Sequence, residues 1–409
     1  MSRKSKNVKA NWFHHIKKVA VKKYLLCVSA ICCFLLLVAA TSPSLAAGDC
    51  AALKQEVKNY YNGIHGYPED KQKMIESLQK AEGMKCTDLM IILGAFYEKG
   101  QFVKRDISEA MRLFTSAAEM GDVEAMSLLG ETYLVGGTVA KDYEKAIHWF
   151  KKAAAENDGN AMFMLSYMYL DPRIGIKDRS EGLDWLQKAI SAGDARAMNQ
   201  MARMQEGRNT TEAFYWYLRA AEKGLPGAQY EVAMRLVQGE GVGKSPAKAK
   251  EWFKKLSAKM KPSDIYDLGV EFYGGIGVEK DYDMAGFLFK LAARKNFPAA
   301  YYSLGDMYEN GKLGEKNLGS ASIAYKSAAA LGHNYSFLRL GRLYEQPGDM
   351  QNLIEAYQWY FMADAANDVD AEDDIKRMKS RLTEEELRTA EYRAGLWAGM
   401  MIRKNGQLR

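Results

Sequence analysis

Two stretches decide the fold: Ala125-Met126-Ser127-Leu128-Leu129-Gly130-Glu131-Thr132-Tyr133 and, after a short loop, Ala146-Ile147-His148-Trp149-Phe150-Lys151-Lys152-Ala153-Ala154. Each places small and apolar residues at spacings of three, four and seven, which fall on one face of a helix. Both recur along the chain. The small residue of the first stretch returns at Gly94, Gly130, Ser166, Ala202, Ala233, Gly269, Gly305 and Gly341, in six steps of 36 residues and one of 31. That of the second returns in time with it, at Ala110, Ala146, Gly182, Ala213, Ala249, Ala285, Ala321 and Ala356. A period of this length marks stacked supersecondary units. The chain therefore reads as eight pairs of amphipathic helices, A then B. The 31-residue step is a fourth unit that keeps both helices and loses most of its A–B loop.

A glycine inside a helix costs about 1 kcal/mol relative to alanine. Its repetition in helix A implies that the missing Cβ lets helices A and B approach closely. Trp149, Trp185, Trp216, Trp252 and Trp359, each three places after the small residue of helix B, are expected to fill the space between neighbouring hairpins rather than to stack on a ligand. Glycine-rich turns such as Gly136-Gly137 and Gly274-Gly275-Ile276-Gly277 suit a helix C-terminus, where a positive φ is needed. Asp106, Asp142, Asp178 and Asp281 stand four residues before the small position and read as N-caps of helix B. Asp106…Glu109, Asp178…Glu181 and Thr383…Glu386 have capping-box spacing.

These residues resemble Sel1-like repeats, relatives of the tetratricopeptide repeats. The resemblance rests on Ala125 to Tyr133, on the Gly-x-Gly-Val turn from Gly275 to Val278, and on Ala146 to Ala154. It implies an all-α, right-handed α-α solenoid of helix hairpins over residues 86–366. The fourth unit departs by lacking the turn, and the fifth has Leu256 where alanine is usual. Residues 47–85 read as a degenerate unit that caps the N-terminal end. Residues 367–409 read as a closing helix and tail, with Leu387, Ala390, Ala394 and Trp397 on one apolar face. A solenoid needs such caps to shield its end faces.

Residues 1–46 have the anatomy of a secretory signal peptide. A basic stretch ends at Lys22-Lys23, an uncharged apolar run covers Tyr24 to Ala40, and Pro43 precedes the small residues Ala46-Ala47. The expected location is the periplasm. The alternative is an uncleaved leader that anchors the protein to the inner membrane, since 17 apolar residues sit at the lower limit for spanning a bilayer. The leader also carries all the excess positive charge. It holds eight Lys/Arg and no Asp or Glu, and without it 49 basic residues face 51 acidic ones. The basic footprint of a nucleic-acid-binding protein is missing.

Removal of the leader leaves two cysteines, Cys50 and Cys86, 36 residues apart. An even number in an oxidising compartment suggests a disulfide, and two free buried thiols are the other reading. Equivalent positions on packed helices lie about 8–10 Å apart at the axes, while a disulfide needs Cα atoms within about 7 Å. The bond therefore calls for a frayed or tilted first helix.

No catalytic, cofactor or metal constellation emerges. Gly239 to Ser245 imitates a phosphate-binding loop, but Gln238 stands where the first glycine belongs, and the segment follows a helix. His65, His148 and His333 lie in different units with no cysteine at ligand spacing. Asn209-Thr210-Thr211 matches a glycosylation acceptor, relevant only to a eukaryotic source.

The resemblance implies a binding function on the face lined by the A helices. The positions it assigns are Phe163, Tyr167, Tyr230, Met234, Tyr266, Tyr273 and Tyr302, with Asn199, Arg203 and Glu206 as a polar insertion in the fourth unit. The rival reading is that some of these tyrosines pack between adjacent A helices. The expected function is a non-catalytic periplasmic scaffold, adaptor or inhibitor for a protein or peptide partner, without a cofactor. The alternative is an envelope polysaccharide-binding protein or hydrolase, whose mark is a pair of carboxylates facing each other across the surface.

Overall fold

The computed structural model describes residues 47–63, 70–176, 178–348 and 351–405. The leader, its cleavage site and His65 lie outside the described residues. Within them are twenty helices and no strand, an all-α repeat solenoid. Helices α1 (Ala47–Asn62) and α2 (Lys71–Gln79) precede the first full repeat. The hairpins that follow are α3 (Thr87–Lys99) with α4 (Ile107–Glu119), α5 (Val123–Val135) with α6 (Tyr143–Ala155), and α7 (Gly159–Leu170) with α8 (Arg179–Ser191). The fourth repeat supplies α9 (Ala195–Gln205) and α10 (Thr210–Glu222). Then come α11 (Pro226–Gln238) with α12 (Pro246–Ser257), α13 (Pro262–Gly274) with α14 (Tyr282–Ala293), α15 (Pro298–Glu309) with α16 (Leu318–Ala330), and α17 (Tyr335–Glu345) with α18 (Leu353–Ala365). Helices α19 (Ala371–Lys379) and α20 (Glu384–Asn405) close the chain. It forms two compact bodies, one up to Glu206 and one from Gly207.

The repeated glycine has a specific reason. A Cβ on Gly94 would stand 2.5 Å from the Phe114 ring, and one on Gly130 2.6 Å from Phe150. In the second body, Gly269, Gly305 and Gly341 meet Phe289, Tyr325 and Tyr360 at 2.6, 2.5 and 2.5 Å. The helices therefore close around an aromatic ring, which takes the volume that a Cβ would fill. All five rings belong to the residue four places after the small position of helix B, and all are buried. The tryptophans one place earlier have a different part. Trp149 and Trp359 are buried, but Trp185, Trp216 and Trp252 are only partly so. Four of them carry a cation from the next helical turn: Lys152 over Trp149, Lys188 over Trp185, Arg219 over Trp216 and Lys255 over Trp252, at 4.6, 4.0, 5.3 and 4.2 Å. An indole with one face on the core and the other under a cation sits at the rim of the hairpin. The main filler is its neighbour.

The aspartates expected to cap helix B do so. Asp106, Asp142, Asp178 and Asp281 accept from the backbone N–H three residues on, at 3.1, 3.0, 2.9 and 2.8 Å. Asn209, Asn317 and Asn352 do the same for α10, α16 and α18. The amide of the glycosylation-like triplet is thus part of a helix cap. The acidic partners at Glu109 and Glu181 turn away from their caps, toward Arg112 and Lys151. Thr383 and Glu386 form the reciprocal box, with Thr383 N–H donating to Glu386 at 2.8 Å and Glu386 N–H to Thr383 Oγ1 at 3.3 Å. The helix they start, α20, lays Leu387, Ala390, Ala394 and Trp397 on the core around Phe337 and Trp359.

In the first body, Cys50 and Cys86 are joined, with Cα atoms 5.5 Å apart. The first helix need not fray for this. Cys86 is the N-cap of α3, outside its helical turns, so the spacing between helix axes does not apply to it.

Candidate binding surface

In the first body the A helices are α3, α5, α7 and α9. Their facing residues form a ladder of polar contacts between successive repeats. Lys54 pairs with Asp88 at 2.6 Å. Ser127 donates to Asp158 at 2.5 Å. Arg196 donates to Asn160 at 2.8 Å, and Asn160 to Glu131 at 3.4 Å, which links α9 to α7 and α7 to α5. The Arg196 guanidinium also lies over the Phe163 ring at 4.6 Å. Of the expected site residues here, Phe163 and Asn199 are partly buried, while Tyr167, Arg203 and Glu206 are exposed. The Tyr167 hydroxyl accepts from Arg173 at 3.3 Å. Glu124 has its carboxyl pushed up, by desolvation first and then by Asp122 and Asp88 beside it.

In the second body the tyrosines tie adjacent repeats together. Tyr266 on α13 reaches Ser303 on α15 at 3.3 Å and leans on Phe289 and Phe297 at 5.3 and 5.2 Å. Tyr273 donates to Asp306 at 3.1 Å and is met by Lys312. Tyr302 lies 4.6 Å from the His333 ring and 5.5 Å from Tyr325. Tyr230 is largely buried, and burial raises its phenol above the ordinary range. Met234 is 8% exposed, so it belongs to the core rather than to a binding face. The rival reading of these aromatics therefore accounts for Tyr266, Tyr273 and Tyr302 as spacers between repeats.

The residues beside them carry the chemistry. Asp264, Asp267 and Glu271 follow one another at helical spacing on α13. Glu271 is raised by burial and then by Asp267, and Asp267 by burial and then by Asp264. Glu231 on α11 adds to the field at Tyr230, as does Glu271. The spacing of three and four was available in the sequence. The positions that the tetratricopeptide resemblance assigns fall beside these places and do not include them. Farther along, acids meet bases: Arg339 bridges Asp306 and Glu309, and Arg377 bridges Glu345 and Asp374. The three acids of α13 share one helix and do not face one another across a surface, so they lack the arrangement of a glycosidic acid/base pair. The phosphate-loop imitation is built differently too. Gly239 closes α11 in the left-handed conformation, Lys244 pairs with Glu279 at 3.1 Å, and a Cβ on Gly241 would stand 2.1 Å from the Thr210 carbonyl.

Helix hairpins repeated in each body, five of them closing on an aromatic ring, define a helical-repeat scaffold of the tetratricopeptide kind. The Sel1 repeat family matches the chain eight times, at residues 88–122, 123–158, 159–194, 195–225, 226–259, 262–297, 298–333 and 338–366; the chain belongs to the Sel1 repeat family. No curated protein matches it significantly. Among solved structures it is similar to a Sel1 repeat protein from Oxalobacter formigenes, at 25% identity over 72% of this chain and 88% of that one, with a TM-score of 0.46. It is also similar to a protective antigen of uropathogenic Escherichia coli with an SLR fold, at 23% identity over 87% and 85%, TM-score 0.32. A third is an immunity protein from Pseudomonas aeruginosa, at 16% identity over 69% and 84%, TM-score 0.24.

Proposed function

We propose that the protein is an exported, periplasmic, non-catalytic scaffold whose A-helix face on the second body takes a positively charged, extended segment of a protein partner. The observation that carries this reading is the acidic run Asp264, Asp267 and Glu271. Burial and the neighbouring acid make the carboxylates of Asp267 and Glu271 costly to ionise, and a cation laid beside them relieves both penalties. Such a device serves an adaptor or an inhibitor, either of which acts by holding a partner. Export is supported by the leader's anatomy and by the Cys50–Cys86 pair.

The test is capture of partners by the purified mature protein, repeated with Asp267→Lys plus Glu271→Lys. The double reversal should weaken a specific interaction by about tenfold or more, chiefly through a faster off-rate and with a smaller salt dependence. Unchanged binding by a folded double variant removes this face from consideration. N-terminal sequencing of the native protein tests export, and an intact Met1 would refute cleavage.

A further inference from the structure

Helix α20 has two faces. One packs on the core through Leu387, Ala390, Ala394 and Trp397. Away from it stand Tyr392, Leu396 and Met400, which are 69, 52 and 58% exposed. Their spacing of four makes them a single ridge of the kind that interdigitates with another helix. Gly395 and Gly399 lie beside that ridge. A Cβ built on either meets nothing within 4 Å, whereas Gly94, Gly130, Gly269, Gly305 and Gly341 of the A helices each meet a ring. Two glycines inside a helix disfavour it by about 1 kcal/mol each relative to alanine, and no packing among the described residues requires them. Small residues four apart allow a second backbone to come close.

The charges say which helix fits. The first turn of α20 is acidic, with Glu384, Glu385 and Glu386, and its last turn contains Arg403 and Lys404 in sequence. Two copies of α20 laid antiparallel bring each acidic end to a basic end. A parallel pair would set like charges together. A patch that meets itself across a two-fold axis closes as a dimer and leaves no open end for a filament.

We propose that α20 pairs antiparallel with α20 of a second copy, through Tyr392, Gly395, Leu396, Gly399 and Met400. One helix from each side is a small interface, at the low end for specific contacts, so the dimer is reversible and depends on concentration.

Sedimentation of the purified protein from about 1 to 300 μM, the range suited to a contact of this size, should show a monomer–dimer equilibrium. Leu396→Lys should abolish the dimer and leave the monomer folded, because this side chain faces solvent. Gly395→Ala with Gly399→Ala should raise the dissociation constant by about tenfold while making α20 itself more helical. A misfolded variant would show the reverse. Charge reversal at Glu384 and Glu385 to Lys should weaken the dimer, and adding Arg403→Glu and Lys404→Glu should restore it. A monomer at every concentration overturns the proposal, as does a dimer indifferent to Leu396→Lys or to the paired glycine substitutions.

Discussion

The two bodies solve the same packing problem with different residues. In the first, the A helices α5, α7 and α9 begin with Asp122, Asp158 and Asp194, whose carboxylates accept from the opening N–H groups. In the second, α11, α13 and α15 begin with Pro226, Pro262 and Pro298 and have no side-chain cap. Aspartate satisfies an orphan donor; proline removes the donor and fixes φ in advance. The ring over the glycine is a phenylalanine in the first body and again at Phe289 in the second, but a tyrosine in the last two repeats. Phe114 and Phe150 are plain hydrocarbon. Tyr325 and Tyr360 donate to Glu309 and Glu345 at 2.8 and 2.7 Å, and those carboxylates hold Arg339, Arg377 and Arg381. The period thus constrains shape at each position, while the chemistry that fills the shape is free to vary.

The largest test of this contrast lies in the first body, which alone has a disulfide. Cys50→Ser opens a link across 36 residues, and loop-closure entropy puts the loss at about 3–4 kcal/mol. Hydrogen exchange should show it in α1 and α2, with the second body unchanged, since repeat stability is local. Next, Gly130→Ala and Gly341→Ala should each destabilise by about 1–3 kcal/mol through overpacking. The second should cost more in denaturant unfolding, because Tyr360 is held by Glu345 and cannot withdraw as Phe150 can; equal costs would show that the hydroxyl does not anchor the ring. Third, Asp158→Ala should cost about 1 kcal/mol, and Pro262→Ala about half that, through the unfolded state. Peptide-level exchange at the starts of α7 and α13 separates the two.

The smallest effect concerns Glu271. Its carboxyl is raised by burial and by Asp267, so the folded state holds its proton more tightly than the unfolded chain does. Its contribution is favourable below the ordinary glutamate range and is lost as pH rises through the raised value. Glu271→Gln should therefore raise the melting temperature of the second body slightly at neutral pH, and the gain should vanish in acid.

Much of the fold was legible because the period is a property of the chain itself. The filler was not. Trp149 and Phe150, Trp216 and Tyr217, Trp252 and Phe253, and Trp359 and Tyr360 are adjacent pairs. The larger ring attracts the eye, yet one residue of helical rotation decides which ring enters the hairpin. Cys86 misled for a related reason: an equal place in the period does not mean an equal place on a helix, and a cap residue escapes the axis spacing. The candidate site was legible only in outline. Borrowed positions found the A-helix face but selected tyrosines that tie repeats together, because a position in a period does not reveal whether a neighbouring repeat already occupies the side chain.

Trp397 on α20 stands edge-on to Trp359 on α18, with ring centroids 5.2 Å apart, and Phe337 lies parallel to Trp359. Two indoles this close share their excited states. The end of the second body therefore has its own optical signature, a paired signal in near-ultraviolet circular dichroism that Trp149, Trp185, Trp216 and Trp252, each beside a cation on a separate helix, do not produce. Loss of that signal with helical content retained would report the closing helix lifting from its seat.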